Sequence, residues 1–122
     1  MQTDIMKKYI GKIFWISGYY EIEIDGSSLS ADITRAIYSE NTFRIEHSKT
    51  NDFSSGLIRL KTENGFLFSG SMKYIDEAKS AATVNLEFYD NSVNSMFIGK
   101  WNEDNVLFTC IIKLQEVDNF EK

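Results

Sequence analysis

The chain has 122 residues with a formal charge of −5, 43% hydrophobic and 25% charged residues, the values of one globular domain spanning the whole chain, too short for two and too apolar for disorder. The acidic balance argues against binding a nucleic-acid backbone, which needs clustered Lys and Arg, whereas Arg35, Arg44 and Arg59 fall on three separate runs with no evident patch. One cysteine, Cys110, and one histidine, His47, exclude an internal disulfide and a transition-metal site of several N and S ligands.

Eight runs of alternating apolar and polar residues between Lys12 and Val117, divided by turn residues, predict a meander of antiparallel strands. Ahead of them, Thr3 to Tyr9 predicts a helical turn or two, capped by Thr3 or Asp4, with Ile5 and Tyr9 on one face. In the first strand Phe14, Ile16, Gly18, Tyr20, Ile22 and Ile24 share the expected core face, opposite Ser17, Glu21, Glu23 and Asp25. Asp25-Gly26 predicts a type I′ turn, because that turn needs positive φ, which Gly supplies cheaply. Leu29, Ala31, Ile33 and Ile37 form the core face of the second strand, which ends at Glu40-Asn41. In the third, Phe43, Ile45 and His47 alternate with Arg44 and Glu46, and the polar residues from Ser48 to Ser55 form a long loop.

Ile58 and Leu60 mark the fourth strand, and Asn64-Gly65 turns it directly into a fifth bearing Phe66, Phe68, Met72 and Tyr74. Gly70 inside that run predicts a bulge or a sharp bend. A second long loop covers Asp76 to Ser80, and Val84, Leu86 and Phe88 follow as the sixth strand. Met96 to Trp101 is the seventh, with either Phe97 and Trp101 or Met96 and Ile98 outward; Val106, Phe108, Cys110, Ile112 and Leu114 line the eighth. Eight consecutive strands left flat would have two costly edges, and pairing the first with the last removes both. The expected fold is therefore all-β, a single eight-stranded antiparallel up-and-down β-barrel with a short N-terminal helical turn; a two-sheet β-sandwich is the alternative.

The meander, the chain length and motifs such as Gly99-Lys100-Trp101 resemble the calycin superfamily, the lipocalin-like and avidin-like barrels. In those families the Gly-x-Trp belongs to the first strand; here it lies in the seventh, while the first offers Trp15 and Gly18 in reverse order. The resemblance implies a barrel and a cavity.

No run of residues has the spacing of a phosphate-cradling loop or of a nucleophile with its base. Glu21, Glu23 and Asp25 read as a solvated face rather than paired catalytic carboxylates, His47 as a partly buried histidine at the barrel rim, and Cys110 as a small core residue. The protein is thus expected to be a non-enzymatic binding protein without cofactor or metal. The stretch from Ile13 to Ile16 is too short for a signal or a membrane span, and a cytoplasmic protein of bacterial or phage origin, with no membrane partner, is expected. Two functions compete. In one, the barrel holds a small apolar or aromatic ligand against Tyr20, Phe68, Met72, Tyr74, Phe88 and Phe108, all of the expected inward parity. In the other, the barrel is a protein-interaction module, such as an immunity protein or a phage-encoded inhibitor, that meets a basic partner through an acidic outer wall and exposed aromatics such as Trp15 and Tyr19.

Overall fold

A computed structural model of the chain describes residues 6–17, 29–50, 54–91 and 93–120. Eight antiparallel strands form a closed barrel in chain order: β1 Lys7–Ser17, β2 Leu29–Ser39, β3 Thr42–His47, β4 Gly56–Thr62, β5 Leu67–Tyr74, β6 Ala82–Asp90, β7 Ser95–Glu103 and β8 Val106–Val117. Closure comes from β1 against β8, where ten residue pairs run from Lys8 opposite Val117 to Ser17 opposite Phe108. The barrel rather than the sandwich is therefore adopted. In that pairing of first and last strands Ile112 lies opposite Ile13, and Tyr20 falls outside the described residues.

Turn chemistry sets the hairpins. Glu40 and Asn41 both have positive φ, 53° and 64°, and so do Asp104 and Asn105, 55° and 64°; these two-residue loops have the twist that suits a tight hairpin. Gly65, at φ 80°, turns β4 into β5. Its loop takes four residues, held by Thr62 Oγ1 accepting from the Gly65 amide at 2.8 Å and Asn64 Oδ1 accepting from the amides of Phe66 and Leu67 at 2.9 Å. Phe66 thus sits in the turn, exposed, and not on the core face of β5.

Three expectations about local structure give way to pairing. Lys7, Lys8 and Tyr9 belong to β1, so the helical turn does not form over them; Thr3, Asp4 and Ile5 lie outside the described residues, as does Asp25-Gly26. On β1 the core face is odd, with Tyr9, Ile13 and Trp15 buried while Phe14 and Ile16 are half-buried on the outside. Directly opposed residues share a face, and Ile13 and Trp15 face Ile112 and Cys110, which are buried on β8. In β2 a register shift between Ile33 and Arg35 inserts one residue, so that Ala36 replaces Ile37 at the core.

The remaining faces follow the alternation. Phe43, Ile45, Ile58, Leu60, Phe68, Met72, Val84, Leu86, Phe97, Trp101, Cys110, Ile112 and Leu114 fill the interior. On β7 it is Met96 and Ile98 that point outward. Gly70 brings no bulge: the register through it is continuous, and a Cβ there would meet the Arg59 carbonyl oxygen at 1.8 Å. The neighbouring backbone presses into the space a side chain would need, which lets β5 coil tightly. Arg44 and Arg59, read as scattered, are direct cross-strand neighbours on β3 and β4.

Three measurements follow from this packing. Gly70→Ala should cost about 1–3 kcal/mol by overpacking, seen as a lower urea midpoint at an unchanged slope. Burial pushes the Cys110 thiol pKa well up, so a thiol reagent should label it only after unfolding. Cys110→Ser should lower stability by about 1–3 kcal/mol, since it buries a hydroxyl.

Candidate functional site

Of the six residues expected to line one ligand pocket, the five that are described fall into two groups at opposite ends of the barrel. Six residues of extended chain separate Phe68 from Tyr74, roughly 20 Å, so the two lie at opposite ends of β5. Phe68 and Phe88 belong to one end of the barrel, with centroids 5.6 Å apart. Met72, Tyr74 and Phe108 belong to the other. Tyr20 lies outside the described residues.

At the first end the barrel is closed by short turns and filled by rings. Phe43 stands at the centre, 5.5 Å from Tyr9, 4.8 Å from Tyr38, 5.8 Å from Phe68, 5.7 Å from Phe88 and 5.1 Å from Phe97. Most of these pairs are tilted or edge-to-face, the geometries that favour ring quadrupoles. Beside them Ser95 Oγ donates to Asp90 Oδ1 at 3.3 Å. Burial, with Glu116 and Asp90 nearby, pushes the Tyr9 hydroxyl up to about 12. It stays protonated at any ordinary pH.

The second end carries the polar groups. Tyr74 Oη donates to Glu103 Oε2 at 2.7 Å and Trp101 Nε1 donates to Glu103 Oε1 at 2.9 Å, so one carboxylate holds two aromatic side chains from β5 and β7. Burial and this hydrogen bond both raise the Tyr74 pKa. Trp15 packs edge-on against Trp101 at 5.3 Å and against His47 at 5.4 Å. Trp15 was expected outward as a partner contact, but it is 5% exposed because β1 has odd inward parity. Tyr19, the other expected partner contact, lies outside the described residues.

His47 is more buried than a rim residue, at 1% exposure, and a Cβ on Gly56 would approach its Nε2 to 2.3 Å. Its Nδ1 lies 3.1 Å from the Ser48 carbonyl, which can only accept, so Nδ1 carries the proton of the neutral ring. The arrangement is a partly buried polar latch in which Glu103 holds Trp101 and Tyr74, with Trp15 and His47 packed beside them. Among the described residues no group of three or more His, Cys, Asp or Glu is placed to hold a metal ion. Glu103 escaped the sequence reading, although its spacing of two from Trp101 put both on one face. Phe43 and Phe97 were legible as strand residues but not as the hub of the interior.

Burial lowers the His47 pKa below its ordinary 6.5, against smaller opposing effects from Ser48 and Glu103. The unfolded chain therefore binds this proton more readily than the folded one. Stability should be full above about pH 6.5 and fall as the pH drops below it. His47→Phe should flatten that part of the profile in denaturant titrations between about pH 7 and pH 5.5; an unchanged slope would assign it to another group.

No family model matches the chain, and no curated protein does. Among solved structures it is similar to transferrin binding protein B from Haemophilus parasuis Hp5, a vaccine antigen, with a TM-score of 0.55 and 15% sequence identity. The match covers 98% of this chain and 28% of that one. At that identity the likeness is one of fold, and the chain spans about 28% of the length of the protein it matches.

Proposed function

We propose that the chain is a non-enzymatic protein-binding module that works through the outside of a filled barrel. The observation that carries this reading is the ring packing of the interior, where Phe43 meets five other aromatic rings at 4.8 to 5.8 Å. Rings at these separations are already in contact, and a guest of even one ring would have to displace them. A pocket for a small apolar ligand runs at roughly 300 Å³ or more. The resemblance to calycins then concerns architecture and not a shared cavity.

The similar barrel belongs to a protein named for binding transferrin, itself a protein, which lends protein recognition a precedent. One observation favours the container reading: Tyr74 and Phe108 at the Glu103 end are only partly buried and would be the entrance for a ligand. The described strands carry outward groups of both signs, among them Asp32 on β2 and Glu87 on β6. Glu21, Glu23 and Asp25 lie outside the described residues, and outward positions on β4 hold Arg59 and Lys61.

Phe68→Ala separates the readings. In a filled barrel it costs roughly 3–5 kcal/mol of stability and leaves partner binding intact in the surviving folded fraction. Native mass spectrometry of protein from its own cells should give the mass of the chain without a small molecule. A stoichiometric apolar ligand in that spectrum, lost in Phe68→Ala, would sink the proposal.

A further inference from the structure

The outer wall over β6, β7 and β8 carries a compact set of side chains that the interior does not use. Cross-strand pairing arranges them in two rows, Tyr89, Met96 and Lys113 abreast in one, Glu87, Ile98 and Ile111 abreast in the next. All six point outward, alternating along their strands with interior residues such as Leu86, Phe97 and Ile112. The apolar part continues at both sides. The Phe66 ring, 42% exposed, packs edge-on at 5.6 Å against Tyr89, itself 45% exposed, and Phe14 on β1 lies opposite Ile111. Large apolar groups kept in water on adjacent strands mark a contact surface. The closed barrel offers no edge to an added strand, so a partner has to meet the face.

The charges select the partner. Tyr89 and Ile111 occupy two diagonal corners of the cluster, and Lys113 and Glu87 occupy the other two. Both charged side chains are exposed, and neither has an ion pair among the described residues. Lys113 lies over the Phe14 ring at 5.8 Å, and Glu87 accepts from the Tyr89 hydroxyl at 2.6 Å. Beyond the cluster Lys12 is bridged to Asp32 at 2.8 Å, Asp90 accepts from Ser95 at 3.3 Å, and Lys100 stands further along β7 between Asn85 and Thr109. A partner of one sign is attracted at one corner of the cluster and repelled at the other. A second copy, related by a two-fold axis along the line from Tyr89 to Ile111, brings its Glu87 over Lys113 and its Lys113 over Glu87. An isologous interface requires this kind of self-complementarity.

We infer that the wall over β6, β7 and β8 is the interface of a two-fold homodimer. Tyr89, Met96, Ile98 and Ile111 pack about the axis, and two symmetry-related pairs of Lys113 with Glu87 flank it. A diagonal axis makes the strands of the two copies cross steeply, the arrangement of orthogonally packed sheets. Two curved walls touch over the strands beside β7 and no further, which gives a dimer that forms and dissociates with concentration. The flanking charge pairs fix its register more than its affinity. Dimerisation needs no assumption about what else the exterior binds.

Sedimentation velocity of the full chain should show a monomer giving way to a dimer as concentration rises. Lys113→Glu or Glu87→Lys, each of which sets like charges against each other at both flanks, should raise the dissociation constant roughly tenfold or more. Lys113→Gln, a milder change, should raise it severalfold, and near-UV circular dichroism checks that the variants stay folded. An equimolar mixture of the Lys113→Glu and Glu87→Lys chains should dimerise nearly as well as the unaltered chain, because the mixed dimer again sets opposite charges together at both flanks. A chain that stays monomeric to its solubility limit overturns the inference. So does a dimer indifferent to all three substitutions, or a mixture that associates no better than either variant alone. These outcomes leave the exterior-binding reading in place, since that reading falls instead on a stoichiometric apolar ligand in the native mass spectrum.

Discussion

The pairing of β1 with β8 is the constraint on which the rest depends. Once the ring of strands is closed, the inward parity of each strand is dictated by its two neighbours. Ile13 opposite Ile112 forces Trp15 inward and Phe14 outward, whatever the local hydrophobicity of β1 suggests. The one-residue bulge in β2 then lets its second half supply Ala36 and Tyr38 to the same interior. Closure also satisfies every strand edge, so the outer wall can carry exposed apolar groups without offering a free edge to a second chain.

Closing eight strands leaves an interior about wide enough for side chains to fill, and this chain fills it unevenly. Glycines at positions 11, 70 and 99 let neighbouring backbones close in, with Cβ positions that would lie 1.8 to 2.2 Å from backbone oxygens. Phe43 and its neighbours occupy the volume at one end, and the Glu103 latch organises the other. A carboxylate that accepts from both Tyr74 and Trp101 fixes two large rings with charge-assisted bonds, which are stronger than neutral ones. Both ends of the interior are thus occupied by packed side chains.

The outer surfaces mix the charge. Lysines on the outward faces of β1, β7 and β8 stand beside outward carboxylates on β2 and β6, where Asp32 bridges Lys12 at 2.8 Å and Glu87 accepts from the Tyr89 hydroxyl at 2.6 Å.

By itself the sequence determined the number of strands, their order, the antiparallel meander and most faces from β3 to β8. Period-two alternation there pits Ile and Phe against Lys, Arg, Glu and Asn, except on β7, where Met96 and Ile98 compete with Phe97 and Trp101 and the structure buries the second pair. Glu40-Asn41 was readable as the end of β2 because Asn tolerates positive φ. On β1 the alternation is ambiguous, since Tyr9, Ile13 and Trp15 compete with Ile10, Phe14 and Ile16. Lys8 and Lys12, which share the even face, were the one local signal for the correct answer. Only the tertiary structure decided that parity, the bulge in β2, the separation of Phe68 from Tyr74 and the union of Glu103 with two aromatic rings. Each depends on register between strands far apart in the chain, and a period along one strand carries no record of which residue will lie opposite.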